Sequence, residues 1–165
     1  DDVEFLHALR TLPDVVATSV PPVAPDRDET ASDCGRAECG WLAGEHARLV
    51  ILDAASDEPA GEIGVHNQEP PTGQAMIGYA MHPAWRGRGY PVRAARLVAD
   101  WAFRSTDIAR LIAGTLPENT ASQRVLEKAG FRREGYQRGR LPGPAGTRVD
   151  DILFALLPTD PAPPT

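Results

Sequence analysis

The chain has 165 residues, of which 42% are hydrophobic and 24% charged, a composition that is ordinary for a globular protein of one domain. No apolar run reaches the length of a membrane span, and the first residues lack the charged-then-apolar pattern of a secretory signal. The net charge of −6 suits nucleic acid poorly. We therefore expect a single domain over residues 1–157, a cytoplasmic location, and neither a membrane nor a nucleic acid as partner.

The charge is divided unevenly along the chain. Residues 1–80 hold 4 Arg or Lys and 15 Asp or Glu, whereas residues 81–165 hold 13 and 8. A basic half beside an acidic half suggests an anionic ligand on one side and a cationic ligand on the other, although scattered surface charges could divide in the same way. Cys34 and Cys39 have no second Cys or His pair nearby to complete a zinc set, so we expect reduced thiols and no metal.

The first half of the chain predicts two helices followed by strands. Apolar spacing favours a helix from Val3 to Leu12, ended by Pro13, and a weaker helix over 26–40. Three strands are then predicted, the first two as a hairpin: Ala47–Asp53, Gly61–His66 and Gln74–Met81.

A glycine-rich basic turn follows the third strand. It reads Arg86-Gly87-Arg88-Gly89-Tyr90-Pro91 and leads into an alanine-rich helix pattern that ends near Ser105. A strand, a turn and a helix start place several backbone N–H groups in one concavity at the positive end of a helix dipole, which favours phosphate. The alternative is a basic surface turn whose glycines only allow tight geometry.

The rest of the chain predicts one helix between strands. The strands are expected at Arg110–Leu116, 131–138 and Asp150–Leu157. The helix begins with Asn119 or Thr120 as its cap and ends at Gly130, where Phe131 folds back on it as in a Schellman motif. Residues 158–165 are expected to be a disordered tail. This order of elements predicts an α/β domain with a mixed sheet.

Two motifs together resemble the GCN5-related N-acetyltransferase (GNAT) superfamily. The family's first signature, Gln/Arg-x-x-Gly-x-Gly/Ala after a strand, is matched by Arg86–Pro91, and its second, around the next strand and helix, by Asn119–Phe131. The segments Arg132–Tyr136 and Asp150–Leu157 resemble the subgroup that contains the ribosomal-protein N-terminal acetyltransferases. The resemblance covers residues 1–157 and implies a mixed, mostly antiparallel sheet flanked by helices, with a splayed central strand pair.

The resemblance also implies acetyl-CoA as cosubstrate, lying along the strand before the turn. The pantetheine chain would bond to the backbone of Tyr79, Ala80 and Met81. The pyrophosphate would lie on the turn, where glycine lets the backbone touch phosphate. The contacts implied there are Arg86, Gly87, Arg88, Gly89, Tyr90 and Pro91. Asn119 would contact the pantetheine or order the splayed strand ends, or else act only as a helix cap.

The implied reaction transfers an acetyl group to a primary amine by direct attack in a ternary complex. It needs an unprotonated amine, an oxyanion stabiliser and a proton donor for the departing thiolate. By resemblance, Ser122 is the hydroxyl donor to the CoA sulfur, or else a serine that satisfies the helix start, and the backbone N–H near Met81 is the oxyanion donor. Many relatives carry a glutamate base on the strand before Asn119, and this strand has no carboxylate. His66 and Glu62 are the remaining candidates, beside a structural role for the histidine and deprotonation by solvent.

Two features depart from the family pattern. Pro91 occupies the last Gly/Ala position and has no N–H, so we expect one pyrophosphate hydrogen bond fewer and weaker CoA binding. Relatives begin with a strand, whereas this chain starts at what looks like the first helix, so the first strand is expected to be missing, either because the given chain is a truncation or because the strand is supplied otherwise. The sheet edge left open would pair with another chain, which predicts a homodimer.

Two functions of different classes remain. The leading one is an N-acetyltransferase whose acceptor is a protein N-terminus or a cationic small molecule, which fits the acidic first half. The alternative is a non-catalytic acyl-CoA-binding or regulatory module with the same fold. Pro91 and the missing strand carboxylate favour the module, whereas Asn119 and Ser122 favour the enzyme.

Overall fold

The computed structural model describes residues 2–161, apart from the side chains at positions 67 and 68. Its helices are α1 (Asp2–Arg10), α2 (Pro13–Thr18), α3 (Arg27–Leu42), α4 (Tyr90–Ser105) and α5 (Thr120–Ala129). Its strands are β1 (His46–Leu52), β2 (Pro59–Glu69), β3 (Gln74–Met81), β4 (Arg110–Thr115), β5 (Arg132–Pro142) and β6 (Arg148–Leu156). Short 3₁₀ helices occur at Pro70–Thr72, Pro83–Trp85 and Pro144–Gly146. Within residues 2–161, no helix is long and apolar enough to cross a bilayer.

The six strands form one mixed sheet in the order β1-β2-β3-β4-β6-β5. Neighbouring strands are antiparallel except for β3 and β4, which are parallel. This central pair is joined only between Gln74–Met76 on β3 and Arg110–Ile112 on β4, and the two strands then diverge. The predicted mixed, mostly antiparallel sheet with a splayed central pair is confirmed. The predictions of a missing first strand and of a homodimer stay predictions.

Helices cover both faces of the sheet because side chains alternate along each strand. One core lies between the sheet and the pair α4 and α5. It includes the buried side chains Ile63, Val65, Ile77, Leu111, Ala95, Val98, Leu126 and Phe154. On the other face α1 packs on β2 and β3, and α3 packs on β1. The alternate residues of β2, such as Glu62 and His66, therefore lie on the side of α1.

Besides shifted bounds, such as those of β2, three differences between the observed and the predicted elements are informative. Pro13 does not only end α1: it lies in the first turn of α2, which the sequence patterns did not predict, because proline tolerates the first turn of a helix. Strand β5 runs past 138, since Leu141 pairs with Val149 on β6. The predicted tail starts with an ordered turn, in which the Leu157 N–H donates to Asp160 Oδ2 at 2.9 Å. The rest of that tail, residues 162–165, lies outside the described residues.

A buried carboxyl in β6 predicts an unusual dependence of stability on pH. Asp151 is 4% exposed, and burial raises its pKa. The carboxylate form therefore destabilises the fold above the raised pKa, and this cost disappears as the pH falls below the unfolded value. We expect the difference in free energy of unfolding between Asp151→Asn and wild type to favour the variant more at about pH 8 than at about pH 4. Urea titrations at the two pH values measure this difference.

The neighbouring Asp150 provides a control of opposite sign. A hydrogen bond from the Tyr136 hydroxyl lowers the pKa of Asp150, so its carboxylate adds stability that is lost as the pH falls. The loss of free energy of unfolding from wild type to Asp150→Asn should therefore be larger at about pH 8 than at about pH 4. A pH-independent difference for Asp151→Asn would contradict the account of that residue.

Candidate active site

A cavity of about 910 Å³ lies where β3 and β4 diverge. One side is formed by α1, α2 and the segment after them, and another by β2. The end of β3, the turn after it and the start of α5 complete the walls. The segments that carry the sequence motifs therefore meet around one space.

The end of β3 turns backbone groups toward this gap. The His82 N–H donates to Ala60 O at 2.9 Å. By the alternation of an antiparallel pair, the backbone of Ala80 faces β2 whereas those of Tyr79 and Met81 face β4. Because β4 has diverged at this level, the N–H and C=O groups of Tyr79 and Met81 face the cavity.

Glycines give the basic turn its shape. Gly87 and Gly89 have φ of 74° and 78°, in the left-handed region that favours glycine. A Cβ on Gly87 would meet no atom within 4 Å, so the backbone there borders open space. Gly89 is the N-cap of α4, whose first N–H groups have no partner inside the helix. The turn therefore offers N–H donors at the positive end of a helix of 16 residues.

The two arginines of the turn are held by neighbouring groups. Arg86 donates from Nε to Met81 O at 3.0 Å and from Nη1 to Asp14, and this hydrogen bond lowers the pKa of Asp14. Arg88 lies over the ring of Trp85, 5.1 Å from its centroid. Arg86 lines the cavity and Arg88 does not. Of the two arginines of the turn, Arg86 is therefore the one at the cavity wall, with Asp14 as its counter-ion.

Ser122 lies in the first turn of α5, at the cavity wall. Asn119 is the N-cap of this helix, since its Oδ1 accepts the Ser122 N–H at 3.1 Å. Ser122 Oγ is 2.9 Å from the hydroxyl oxygen of Tyr79, where either oxygen can donate, and the same Tyr79 oxygen lies 3.2 Å from Ser122 O. Burial raises the pKa of Tyr79 to about 12. The two hydroxyls thus form a pair in which the tyrosine stays protonated at neutral pH.

His66 and Glu62 both line the cavity from the same face of β2. Glu62 is held by Arg10, whose Nη2 lies 2.7 Å from Glu62 Oε2 and whose Nε lies 3.1 Å from Oε1. The pKa of His66 is lowered by burial and then by the charges of Arg48 and His46. A lowered pKa keeps the imidazole neutral at neutral pH, which is the form that accepts a proton. Because Arg10 binds both carboxylate oxygens of Glu62, His66 is the more available base of the two.

Comparison with known proteins decides the family. Residues 1–132 match the family model described as an acetyltransferase (GNAT) domain. The chain belongs to the GNAT family.

Individual relatives of this GNAT chain agree with that result. The probable N-acetyltransferase YjcK of Bacillus subtilis (strain 168) is 48% identical over 86 residues, which are 52% of this chain and 48% of the relative. The ribosomal protein uS5-alanine N-acetyltransferase of Escherichia coli (strain K12) is 31% identical over 84 residues, or 51% of this chain and 43% of that protein. The chain thus spans about half the length of these curated relatives.

A solved structure shows the same fold. Mycobacterium smegmatis RimJ in complex with CoA-disulfide superposes with a TM-score of 0.83 at 23% identity, covering 95% of this chain and 78% of RimJ. The predicted GNAT membership and the resemblance to ribosomal-protein acetyltransferases are confirmed.

Most of the predicted site residues line the GNAT cavity. They are Glu62, His66, Tyr79, Ala80, Met81, Arg86, Gly87, Pro91, Asn119 and Ser122. The predicted roles of these residues stay predictions.

Four further predicted contacts also stay predictions. Ala80 lines the cavity, and its backbone faces β2. Arg88, Gly89 and Tyr90 belong to the same turn but lie outside the residues that line the cavity. The guanidinium of Arg88 stacks on Trp85, and the Tyr90 hydroxyl donates to an Asp53 carboxylate oxygen.

The sequence patterns missed two parts of the site. Arg10 joins Glu62 to Asp33, and Arg48 pairs with the same aspartate at 2.7 Å. These pairs join residues that are far apart in the chain, so no local pattern indicates them. The hydroxyl of Tyr79 was also missed, although strand alternation places this side chain on the face of α5 and could have indicated it.

Proposed function

We propose that this GNAT protein transfers the acetyl group of acetyl-CoA to a primary amine by direct attack in a ternary complex. The observation that carries the proposal is the cavity at the β3–β4 splay, which has Ser122, His66 and the outward backbone of β3 on its walls. Acetyl-CoA would supply the acetyl group as a thioester. The CoA found in RimJ supports this choice of cosubstrate.

The residues present fit acetyl-CoA. The turn offers N–H donors beside the open space at Gly87, which suits a pyrophosphate. The backbone groups of Tyr79 would hold the pantetheine arm, since Met81 O already accepts from Arg86 Nε. We assign the Met81 N–H to the oxyanion, because a backbone donor aimed into a partly enclosed space stabilises developing negative charge. The NH₂ group of Asn119 is left for the pantetheine, since the helix cap uses Oδ1.

Two side chains would handle the protons. The neutral imidazole of His66 accepts the proton of the attacking amine. The Ser122 hydroxyl donates a proton to the sulfur as the carbon–sulfur bond breaks and the electron pair stays on sulfur. Glu62 then has a structural role, because both of its oxygens already bind Arg10.

We infer that the acceptor is an α-amine, as at a protein N-terminus, rather than a polyamine. Four acidic side chains line the cavity, and three of them, Asp14, Asp33 and Glu62, are each paired with an arginine. This leaves Glu118 to attract a single cationic amine, and little further charge for a polycation. An α-amine, with a pKa of about 8, is also far more often unprotonated at neutral pH than an alkylamine with a pKa of about 10. The relative that acts on the alanine of ribosomal protein uS5 supports this class.

The experiment that tests the proposal measures release of free CoA thiol from acetyl-CoA with different amines. We expect release to depend on the amine and to be faster with a peptide that begins with alanine than with spermidine. If acetyl-CoA binds but no amine accelerates thiol release, the non-catalytic acyl-CoA-binding module is the correct function instead.

Because of Pro91, we expect this protein to bind acetyl-CoA less tightly than a variant with a backbone N–H at position 91. The proline lies in the first turn of α4 and lines the cavity, and it has no N–H to give to the pyrophosphate. We expect Pro91→Ala to bind acetyl-CoA more tightly than wild type, by about tenfold or more, since one charge-assisted hydrogen bond is worth about 1.5–3 kcal/mol. Titration calorimetry checks this, with Pro83→Ala outside the cavity as the control. Equal affinities of wild type and Pro91→Ala would contradict the prediction.

We also propose a cytoplasmic location and a homodimer, with neither a membrane nor a nucleic acid as partner. Cys34 and Cys39 are free thiols, which fits a reducing compartment. Strand β1 lies at one edge of the sheet and exposes Leu49 and Leu52, which supports a contact between two copies there.

A further inference from the structure

We propose that Tyr79 is a positioning residue whose hydroxyl holds Ser122 so that the serine hydrogen faces the sulfur of the cosubstrate. This inference rests on the proposed acetyl transfer. It assigns to the Tyr79 side chain a role separate from that of its backbone along the pantetheine arm.

The two hydroxyls come together from elements 43 residues apart. Tyr79 reaches from β3 across the gap, and its oxygen lies 2.9 Å from Ser122 Oγ and 3.2 Å from Ser122 O. A serine in the first turns of a helix commonly bonds to a backbone carbonyl one turn earlier. Among the described residues, the hydrogen-bond partner of Ser122 Oγ is Tyr79 instead. The serine rotamer is therefore set by the tyrosine.

The other hydroxyls of the cavity wall are occupied by local backbone. Thr18 Oγ1 donates to Asp14 O at 3.1 Å, and Ser19 Oγ donates to Val16 O at 2.9 Å. Neither is part of a pair that spans the splayed strands. Among the hydroxyls that line the cavity, the pair formed by Tyr79 and Ser122 is therefore the one that joins β3 to α5.

Either oxygen of this pair can donate, and we assign the donor to Tyr79 because a phenol is a stronger acid than an alcohol. Tyr79 keeps its proton at neutral pH, since burial raises its pKa to about 12. When the phenol donates to Ser122 Oγ, the single hydrogen of the serine is left for the sulfur. As that hydrogen moves to the sulfur, negative charge develops on Oγ and the bond from Tyr79 strengthens. Ser122 then regains a proton from solvent, and Tyr79 keeps its own.

The kinetic test is Tyr79→Phe, which removes the hydroxyl and keeps the ring. We expect kcat to fall about tenfold while the KM for acetyl-CoA changes by less than about twofold. Tyr136→Phe is the matched control, because its hydroxyl binds Asp150 and it does not line the cavity. A Tyr79→Phe enzyme with the kcat of wild type would overturn the proposal.

A double-mutant cycle separates positioning from a general packing role. In the Ser122→Ala background, Tyr79→Phe should cause no further loss of kcat, because the hydroxyl that it positions is gone. Independent losses that multiply would overturn the proposal, since they would show that Tyr79 acts without Ser122.

Titration of bound CoA tests Tyr79 without any acceptor. Ultraviolet absorbance follows ionisation of the CoA thiol, and a hydroxyl donor at the sulfur favours the thiolate. We expect Tyr79→Phe and Ser122→Ala each to raise the titration midpoint of bound CoA by about one pH unit. An unchanged midpoint would overturn the role of Tyr79. Absence of turnover by wild type would instead overturn the acetyl transfer, so the two failures are distinguishable.

Discussion

Replacing Ser122 by alanine is expected to lower kcat by about 10²-fold or more, because proton transfer by a positioned group contributes about 10²–10⁴-fold. The loss should fall on kcat and leave acetyl-CoA binding nearly unchanged, since the hydroxyl acts on the leaving sulfur. The fold should not suffer, because alanine favours the helix and the backbone N–H that Asn119 caps is retained. Steady-state rates against acetyl-CoA and an alanine peptide provide the measurement.

Thr120→Ala is the matched control for this variant. Thr120 is exposed, begins the same helix and does not line the cavity. Its loss should leave kcat within about twofold of wild type. A Ser122→Ala enzyme that behaves like Thr120→Ala would show that the serine only completes the start of α5.

Replacing Gly87 by valine should weaken acetyl-CoA binding by about 100-fold. The new side chain would occupy the open space where the pyrophosphate approaches the backbone, at the cost of about 3 kcal/mol of charge-assisted hydrogen bonds. Titration calorimetry with acetyl-CoA measures the loss. The turn is also strained by the substitution, because valine disfavours a φ of 74°.

Gly146→Val separates ligand contact from backbone strain. Gly146 has a φ of 75°, and a Cβ there would also meet no atom within 4 Å, but it does not line the cavity. Both variants should therefore lose similar stability, and only Gly87→Val should lose acetyl-CoA. Equal affinities in the two variants would place the pyrophosphate elsewhere.

The fold could be predicted where local signals agree. Strand β3 occupies the predicted Gln74–Met81, because its apolar run lies between a proline-rich loop and the basic turn. The end of α5 follows its glycine signal: Gly130 has a φ of 104°, and the Phe131 N–H donates to Leu126 O at 2.9 Å. The register of β5 on β6 was not predictable, since a loop between Pro142 and Arg148 decides it.

The site could be predicted only as far as its motifs extend. The turn and the start of α5 carry residues in a fixed spacing, and the fold brings both to one cavity. Contacts between segments that are far apart in the chain leave no residue pattern of this kind in the sequence. The bond from Arg10 to Glu62 spans 52 residues, and the pair of Tyr79 and Ser122 spans 43. Both depend on packing across the sheet, which a single sequence does not encode locally.

The most direct test of the central claim compares acetyl-CoA with acetyl-pantetheine, which lacks the pyrophosphate and nucleotide. If the Arg86–Pro91 turn holds the pyrophosphate, acetyl-CoA at about 100 times its Kd should stabilise wild type by about 2.7 kcal/mol in thermal unfolding. Acetyl-pantetheine at the same concentration should stabilise it far less, and Gly87→Val should remove the difference. Equal stabilisation by the two compounds, or none by either, would contradict the account.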